Sequence, residues 1–158
     1  MKAEYSVLSD YRSWISLAGE VEYLFGPMTE EKTFQMALKQ AVEDKNALCI
    51  RVNDKKGEEV LAGGVIVSKD LNEILWFAVS EEYRSMGYGK SLLSSALNHL
   101  DKDRDIFVQT FDDSVKEGKG ARILYTGFGF FDFKKAGNNP AGFPTVIMKL
   151  PAGGCQNI

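Results

Sequence analysis

Apolar positions along this 158-residue chain switch between strand and helix rhythms, and the switching predicts its elements. A run near Glu4 to Leu8 reads as a first strand, and Ser9-Asp10 then caps an amphipathic stretch from Tyr11 to about Phe25 that Gly26-Pro27 ends. Thr29 to Lys32 opens a second helix, with Phe34, Met36, Ala37, Leu38 and Val42 as its apolar positions. Ala47 to Val52 is extended, and the polar turn from Asn53 to Gly57 folds Val60 to Val67 back on it as an antiparallel hairpin. Asp70-Leu71-Asn72 turns into a strand from Glu73 to Val79. Beyond it, Leu92, Leu93, Ala96, Leu97 and Leu100 recur at helical spacing and predict a helix lying on a sheet. A strand from Ile106 to Phe111, a short helix from about Ala121 to Thr126, and strands Phe130 to Lys134 and Thr145 to Leu150 complete the chain.

The resulting order is β-α-α-β-β-β-α-β-α-β-β, an α/β (α+β) arrangement with six to seven strands in a mixed, mostly antiparallel sheet and about four helices. The strand-helix-strand step from Glu73 to Phe111 predicts a parallel pair, since such a crossover returns the chain in the same direction. A length of 158 residues suits one core, so residues 1–158 read as a single domain.

Composition narrows the class further. With 44% hydrophobic and 26% charged residues, general disorder is disfavoured. No apolar run reaches membrane-spanning length and the first residues lack the apolar core of a signal peptide, so the expectation is a cytoplasmic protein with no membrane partner. A net charge of -3 argues against broad nucleic-acid binding and is mildly suited to a cationic acceptor. Cys49 and Cys155 form neither a disulfide framework nor a metal-ligand spacing, and His99, the single histidine, has no partners for metal or triad chemistry. No metal is expected.

The chemistry concentrates at one junction. After the strand ending Ala78-Val79, the chain reads Arg84-Ser85-Met86-Gly87-Tyr88-Gly89-Lys90-Ser91 and becomes a helix. A helix start leaves main-chain N–H groups without intrahelical partners, and glycine admits positive φ and close ligand approach, so the junction can hold an anion. Arg84 and Lys90 add positive charge. The same residues would also serve a plain tight connection. Neither a Gly-x-x-x-x-Gly-Lys-Ser/Thr phosphate loop nor a Gly-x-Gly-x-x-Gly dinucleotide fingerprint occurs, so nucleotide hydrolysis and hydride transfer are poorly supported.

The pattern Arg84-x-x-Gly87-x-Gly89 between strand and helix resembles motif A of the GNAT superfamily of acyl-CoA N-acyltransferases, and the element order is that of its fold. A second stretch, Ala121-Arg-Ile-Leu-Tyr125-Thr-Gly-Phe-Gly129-Phe130, is similar to the family's Ala-x-x-x-Tyr-x-x-x-Gly-Phe signature. The resemblance covers nearly the whole chain. It implies acetyl-CoA as co-substrate, its pyrophosphate held by main-chain amides from Arg84 to Ser91 and its pantetheine arm bonded to Phe77, Ala78 and Val79. It further implies that the Glu73–Val79 and Ile106–Phe111 strands splay apart to admit the thioester. One departure is visible: Gly118 stands where the family often has an asparagine, which removes a side-chain contact to pantetheine.

Acyl transfer to an amine makes two proton demands. Holding a lysine-like amine neutral at pH 7 costs about 4.6 kcal/mol, at about 1.36 kcal/mol per pKa unit, so a base is needed. Glu73 stands where histone-acetylating members carry theirs; a solvent-facing carboxylate is the alternative reading. The departing thiolate needs a hydrogen-bond donor or acid. Tyr125 matches the family tyrosine that points at the sulfur, and a buried core tyrosine is its alternative. A phenol of pKa about 10 against a thiolate of about 8.5 makes full transfer roughly 2 kcal/mol uphill, favouring hydrogen bonding over complete donation.

The acceptor is legible only as a primary amine of a small molecule or peptide. Trp14, Tyr23, Phe25 and Trp76 could line its pocket or belong to the core; Glu20, Glu22, Glu30 and Glu31 could attract a cation or be ordinary solvated charges. Lys116, Lys119 and Arg122 lie close enough in sequence to meet the coenzyme phosphates, although exposed loop charges are commoner. The Gly137–Pro144 loop could wall the site, form a plain hairpin or contact a second copy in a homodimer. The expected activity is N-acetyl transfer by direct attack; the alternative is a non-catalytic acyl-CoA-binding or regulatory module of the same fold.

Overall fold

Seven strands form one sheet in the order β1-β2-β3-β4-β5-β7-β6 in a computed structural model that describes residues 2–153. The strands are β1 Glu4–Tyr5, β2 Ala47–Asn53, β3 Glu59–Ser68, β4 Glu73–Val79, β5 Ile106–Phe111, β6 Phe131–Asn138 and β7 Pro144–Leu150. The helices are α1 Tyr11–Glu20, α2 Glu22–Phe25, α3 Lys32–Glu43, α4 Tyr88–His99 and α5 Lys119–Gly127. As the crossover demands, β4 and β5 run parallel, and the other neighbours are antiparallel. Among the described residues no helix is long and apolar enough to cross a membrane.

Helices cover both faces. On one, Leu92, Leu93, Ala96 and Leu97 of α4 are buried on Val65, Val67, Ile106 and Met148. On the other, Trp14 and Leu17 of α1 and Leu38 of α3 are buried on Ala47, Cys49, Leu61 and Ile66. Burying a side chain of this size contributes about 1.5–3 kcal/mol each, so these two layers fix the sheet between them. Trp14 is wholly core, its indole N–H donating to the Ser6 hydroxyl at 2.9 Å. His99 is half-buried, with Nε2 donating to the Lys45 carbonyl at 2.9 Å and its ring edge-on to Tyr5.

Several boundaries differ from the sequence expectation, each for a physical reason. The Tyr11–Phe25 stretch breaks at Val21, whose φ of -113° and ψ of 6° leave the helical region. The break buries Val21 against Ala18, Met28 and Ala78. Met36 and Ala37 are exposed because α3 turns only a narrow stripe, centred on Leu38 and Val42, to the core. The penultimate strand runs on to Asn138: as an edge strand paired only with β7, β6 needs no buried alternation, so Lys134, Lys135 and Asn138 do not mark its end. Cys155 lies outside the described residues.

A buried asparagine fastens the two parallel strands. Asn72, just before β4, is 1% exposed with a φ of 54°; its carboxamide donates to the Asp101 and Asp105 carbonyls, each at 2.9 Å, and accepts the Asp101 N–H at 2.9 Å. The start of β4 is thereby tied to the loop that leads into β5.

Candidate active site

The site begins where β4 and β5 part. Their ladder holds Glu73 opposite Phe107 and Ile74 opposite Val108, and stops there. On its far side β5 stays paired with β7 as far as Phe111, and β4 stays paired with β3 as far as Val79. Leu75 is bulged out of the β3–β4 ladder, since Ile66 pairs with Trp76 and Val67 with Ile74. A bulge bends a strand, and here it turns β4 away from β5. The β5-facing edge of β4 beyond Ile74 therefore carries unpaired main-chain N–H and C=O groups, which an extended ligand can bond as an added strand.

Two cavities meet in this gap. The smaller, about 310 Å³, lies between the splayed strands and is lined by Trp76, Phe77, Gln109, Thr110 and Tyr125 among others. The larger, about 500 Å³, runs from the end of β4 past α2 and α5 to the start of α4. Phe25, Phe77, Phe111 and Ala121 line both. Of the residues expected to bind coenzyme, all but Met86, Tyr88 and Ser91 line the larger cavity.

At the α4 end of that cavity, Gly87 is the helix N-cap in the left-handed region, with φ 89° and ψ 0°. The first backbone bond of the helix runs from Ser91 N–H to the Gly87 carbonyl at 3.2 Å, so the amides of Tyr88, Gly89 and Lys90 have no intrahelical acceptor. Ser85 also has positive φ, 63°, which shapes the approach. Arg84 folds back, Nε donating to the Val79 carbonyl at 3.2 Å, which ties the loop to the end of β4.

Gly89 borders the larger cavity and is also a packing position between two helices. It is buried and helical, and a Cβ there would stand 2.9 Å from Leu124 Cδ1, so its lack of a side chain serves close packing of α4 on α5. Gly118 is explained the same way: a Cβ would lie 2.5 Å from that of Phe111. An asparagine does not fit this backbone unless the Phe111 strand moves, so the departure from the family pattern follows from the aromatic at the end of β5. Arg122 is committed to Asp132 and to the Phe111 carbonyl. Glu81 and Glu82 form a separate exposed turn and do not cap α4.

Tyr125 projects from α5, 3% exposed, its ring 6.0 Å from Phe77 and 5.6 Å from Phe130. Burial pushes its phenol well above the ordinary range. Its hydroxyl makes no hydrogen bond among the described residues, and the residue lines the cleft, so the group can meet a ligand there. Glu73 is half-buried at the closed end of the gap, and loss of hydration raises its carboxyl pKa. It does not itself line the cleft; alternation sets it on the sheet face opposite Ile74, which packs with α4.

The far wall comes from two segments whose role the sequence left open. Asn139 in the β6–β7 loop donates from Nδ2 to the Leu24 carbonyl at 2.8 Å, while its Oδ1 accepts the N–H groups of Ala141 and Phe143, each at 3.0 Å. The loop is thus clasped to α2. Glu22 receives the Met28 and Thr29 N–H groups at 2.7 and 3.0 Å, which lowers its pKa and holds Met28 against the cleft. Phe25 and Trp76 line the cleft, whereas Tyr23 is 63% exposed at the rim of the larger cavity. Gln109, Thr110 and Phe111 of β5 also line the cleft, and no motif in the sequence marks them. The signal was available, since a strand that splays from its parallel neighbour must itself line the gap.

A family model described as an acetyltransferase (GNAT) domain matches residues 44–131. Among solved structures, a GNAT-family acetyltransferase from Bacillus cereus superposes with a TM-score of 0.71 at 16% identity, covering 95% of this chain and 96% of that one. The ribosomal-protein-S18-alanine N-acetyltransferase of Escherichia coli gives 0.66 at 16% identity over 96% and 93%. The PaiA N-acetyltransferase of Thermoplasma acidophilum, in complex with coenzyme A, gives 0.67 at 16% over 94% and 96%. Likeness at this identity establishes the fold. Comparison with curated proteins finds no match.

Proposed function

The chain belongs to the GNAT acetyltransferase family, and on that premise we propose that it moves the acetyl group of acetyl-CoA directly to a primary amine of a small molecule or peptide. The observation that carries this reading is the end of the β4–β5 ladder at Ile74 and Val108, which opens a cleft that the buried Tyr125 lines. The chain supplies a fitting donor set for the coenzyme: unpaired amides and two basic residues at the α4 start for a diphosphate, and an open strand edge for the amide arm. That a structural neighbour is a complex with coenzyme A supports the same fit.

When bound, the coenzyme supplies a thioester, an acyl group activated for attack. The chain's residues then divide the work. Main-chain amides of Tyr88, Gly89 and Lys90, with Arg84 and Lys90, bind the diphosphate, and Phe77, Ala78 and Val79 bond the arm through their backbone. Glu73, next in sequence to the cleft-lining Ile74 but not itself in the lining, takes the ammonium proton through water. The amine nitrogen forms the new C–N bond as the C–S bond breaks. The Tyr125 hydroxyl hydrogen-bonds the sulfur as negative charge develops, the proton shed by the attacking nitrogen ends on that sulfur through solvent, and the amide and the free thiol leave.

Calorimetry with coenzyme A and thiol release from acetyl-CoA across a panel of amines test this together. Binding with amine-dependent release is expected. Binding with no release for any amine would identify a coenzyme-binding module; no heat at all would remove the premise of a coenzyme site.

A further inference from the structure

We infer that the acceptor is an amine bearing a single positive charge and an apolar or aromatic substituent next to it, and that polycations are rejected. This rests on the acetyl-transfer reading and narrows its substrate class.

The cleft between β4 and β5 contains no charged residue among those that line it. Its wall is aromatic and thioether: Phe25 sits 5.9 Å edge-on to Trp76 and 6.0 Å from Phe111, and the Trp76 indole N–H points at Met28 sulfur 3.3 Å away. Leu75, displaced by the bulge, adds an apolar side chain that is 52% exposed at the rim. Polar groups are neutral, as with Gln109, which donates to the Thr145 hydroxyl at 3.0 Å.

None of the acids on the surrounding elements lines the cleft, and several already have partners. Glu20 accepts from the Ser80 hydroxyl and the Glu81 N–H, Glu22 from Met28 and Thr29, and Asp112 from Ser114. Asp132 is paired with Arg122. Glu117 lines only the larger cavity, on the side of Arg84 and Lys90. Glu73, which opens β4 next to the cleft-lining Ile74, is the carboxylate that the proposed function assigns to the reacting nitrogen. A second ammonium drawn into this cleft would lose hydration without gaining a carboxylate partner, which disfavours it by more than about ten-fold. An apolar substituent gains by leaving water among Phe25, Trp76 and Phe111.

Two sources share this chemistry, the terminus of a peptide with an apolar first residue and a small arylalkylamine. The test assays the full chain with acetyl-CoA and 2-phenylethylamine, a leucine-initiated peptide amide without lysine, spermidine and kanamycin, reading thiol release and product mass. The expected result is a kcat/KM for one of the first two at least about ten-fold above spermidine and kanamycin, and whichever leads identifies the source. A polycation used as well or better overturns the inference while acetyl transfer stands. No amine-dependent release with any of the four overturns both. As an independent arm, Gln109→Glu places a carboxylate in the cleft and is expected to raise the spermidine to phenylethylamine ratio by about ten-fold; an unchanged ratio overturns the inference.

Discussion

Ile74 faces Val108 as the last partnered pair of the two parallel strands, and Tyr125 lines the opening that follows. The arrangement concentrates an open strand edge, a buried phenol and an amide-rich helix start along one continuous groove. If the phenol meets charge developing on sulfur, Tyr125→Phe is expected to lower kcat by about 100-fold, the effect of removing one donor to a developing anion. The ring stays packed on Phe77 and Phe130, so the coenzyme Kd is expected to stay within about two-fold, checked by calorimetry beside steady-state kinetics.

Glu73 links pH to both activity and stability. Burial raises its pKa, so the native state holds the proton more tightly than the unfolded chain does. The sign follows: ionisation above the native pKa is less favourable in the fold, so this group's contribution to stability declines as pH rises through the interval between the unfolded and native values. Glu73→Gln is therefore expected to raise Tm at pH 7 relative to pH 4, measured against wild type, while lowering kcat/KM at every pH where the carboxylate is ionised. A variant that loses stability at pH 7 and keeps full activity would show that Glu73 is neither strained nor the base.

Gly118 gives a prediction of stability alone. Gly118→Asn restores the residue common in the family and forces a Cβ to within 2.5 Å of Phe111 Cβ. Overpacking of this kind costs about 1–3 kcal/mol, or a Tm lower by about 2–10 °C for a chain of this length. Thermal unfolding checks it. Tighter coenzyme binding at unchanged Tm would mean that the β5 end yields freely.

Asn139→Ala removes the clasp between the β6–β7 loop and α2. Leaving the Leu24 carbonyl and two loop amides without their partner costs about 1–3 kcal/mol. Because Asn139 walls the cleft on the side away from α4, KM for the amine is expected to rise about ten-fold, with the coenzyme Kd changed by less than about two-fold. Initial-rate kinetics varying each substrate in turn separates the two.

The regular elements were legible because their periodicity reports burial: β4, β5 and α4 fall where Ile74, Val108 and Leu92 to Leu97 put apolar side chains in contact. The Gly87 junction was legible because a strand, a left-handed position and a helix start leave a local signature. What periodicity could not carry was contact between residues distant in sequence. Gly89 reads as a position for close ligand approach and Gly118 as a lost asparagine contact, and neither reading contains Leu124 or Phe111 packed beside them. The Asn139 clasp spans from the last hairpin to α2, and the Leu75 bulge is apparent only against the register of β3. Edge strand β6 is nearly all exposed, so its hydrophobic pattern carries little of its length.

The most direct test is a crystal structure of the wild-type chain with coenzyme A. The expected result places diphosphate oxygens within about 3.2 Å of main-chain nitrogens at the start of α4, the arm bonded along the free edge of β4, and the sulfur in the gap within reach of the Tyr125 hydroxyl. A diphosphate seated away from Gly87 to Lys90, or a sulfur outside the opening between Ile74 and Val108, would contradict it.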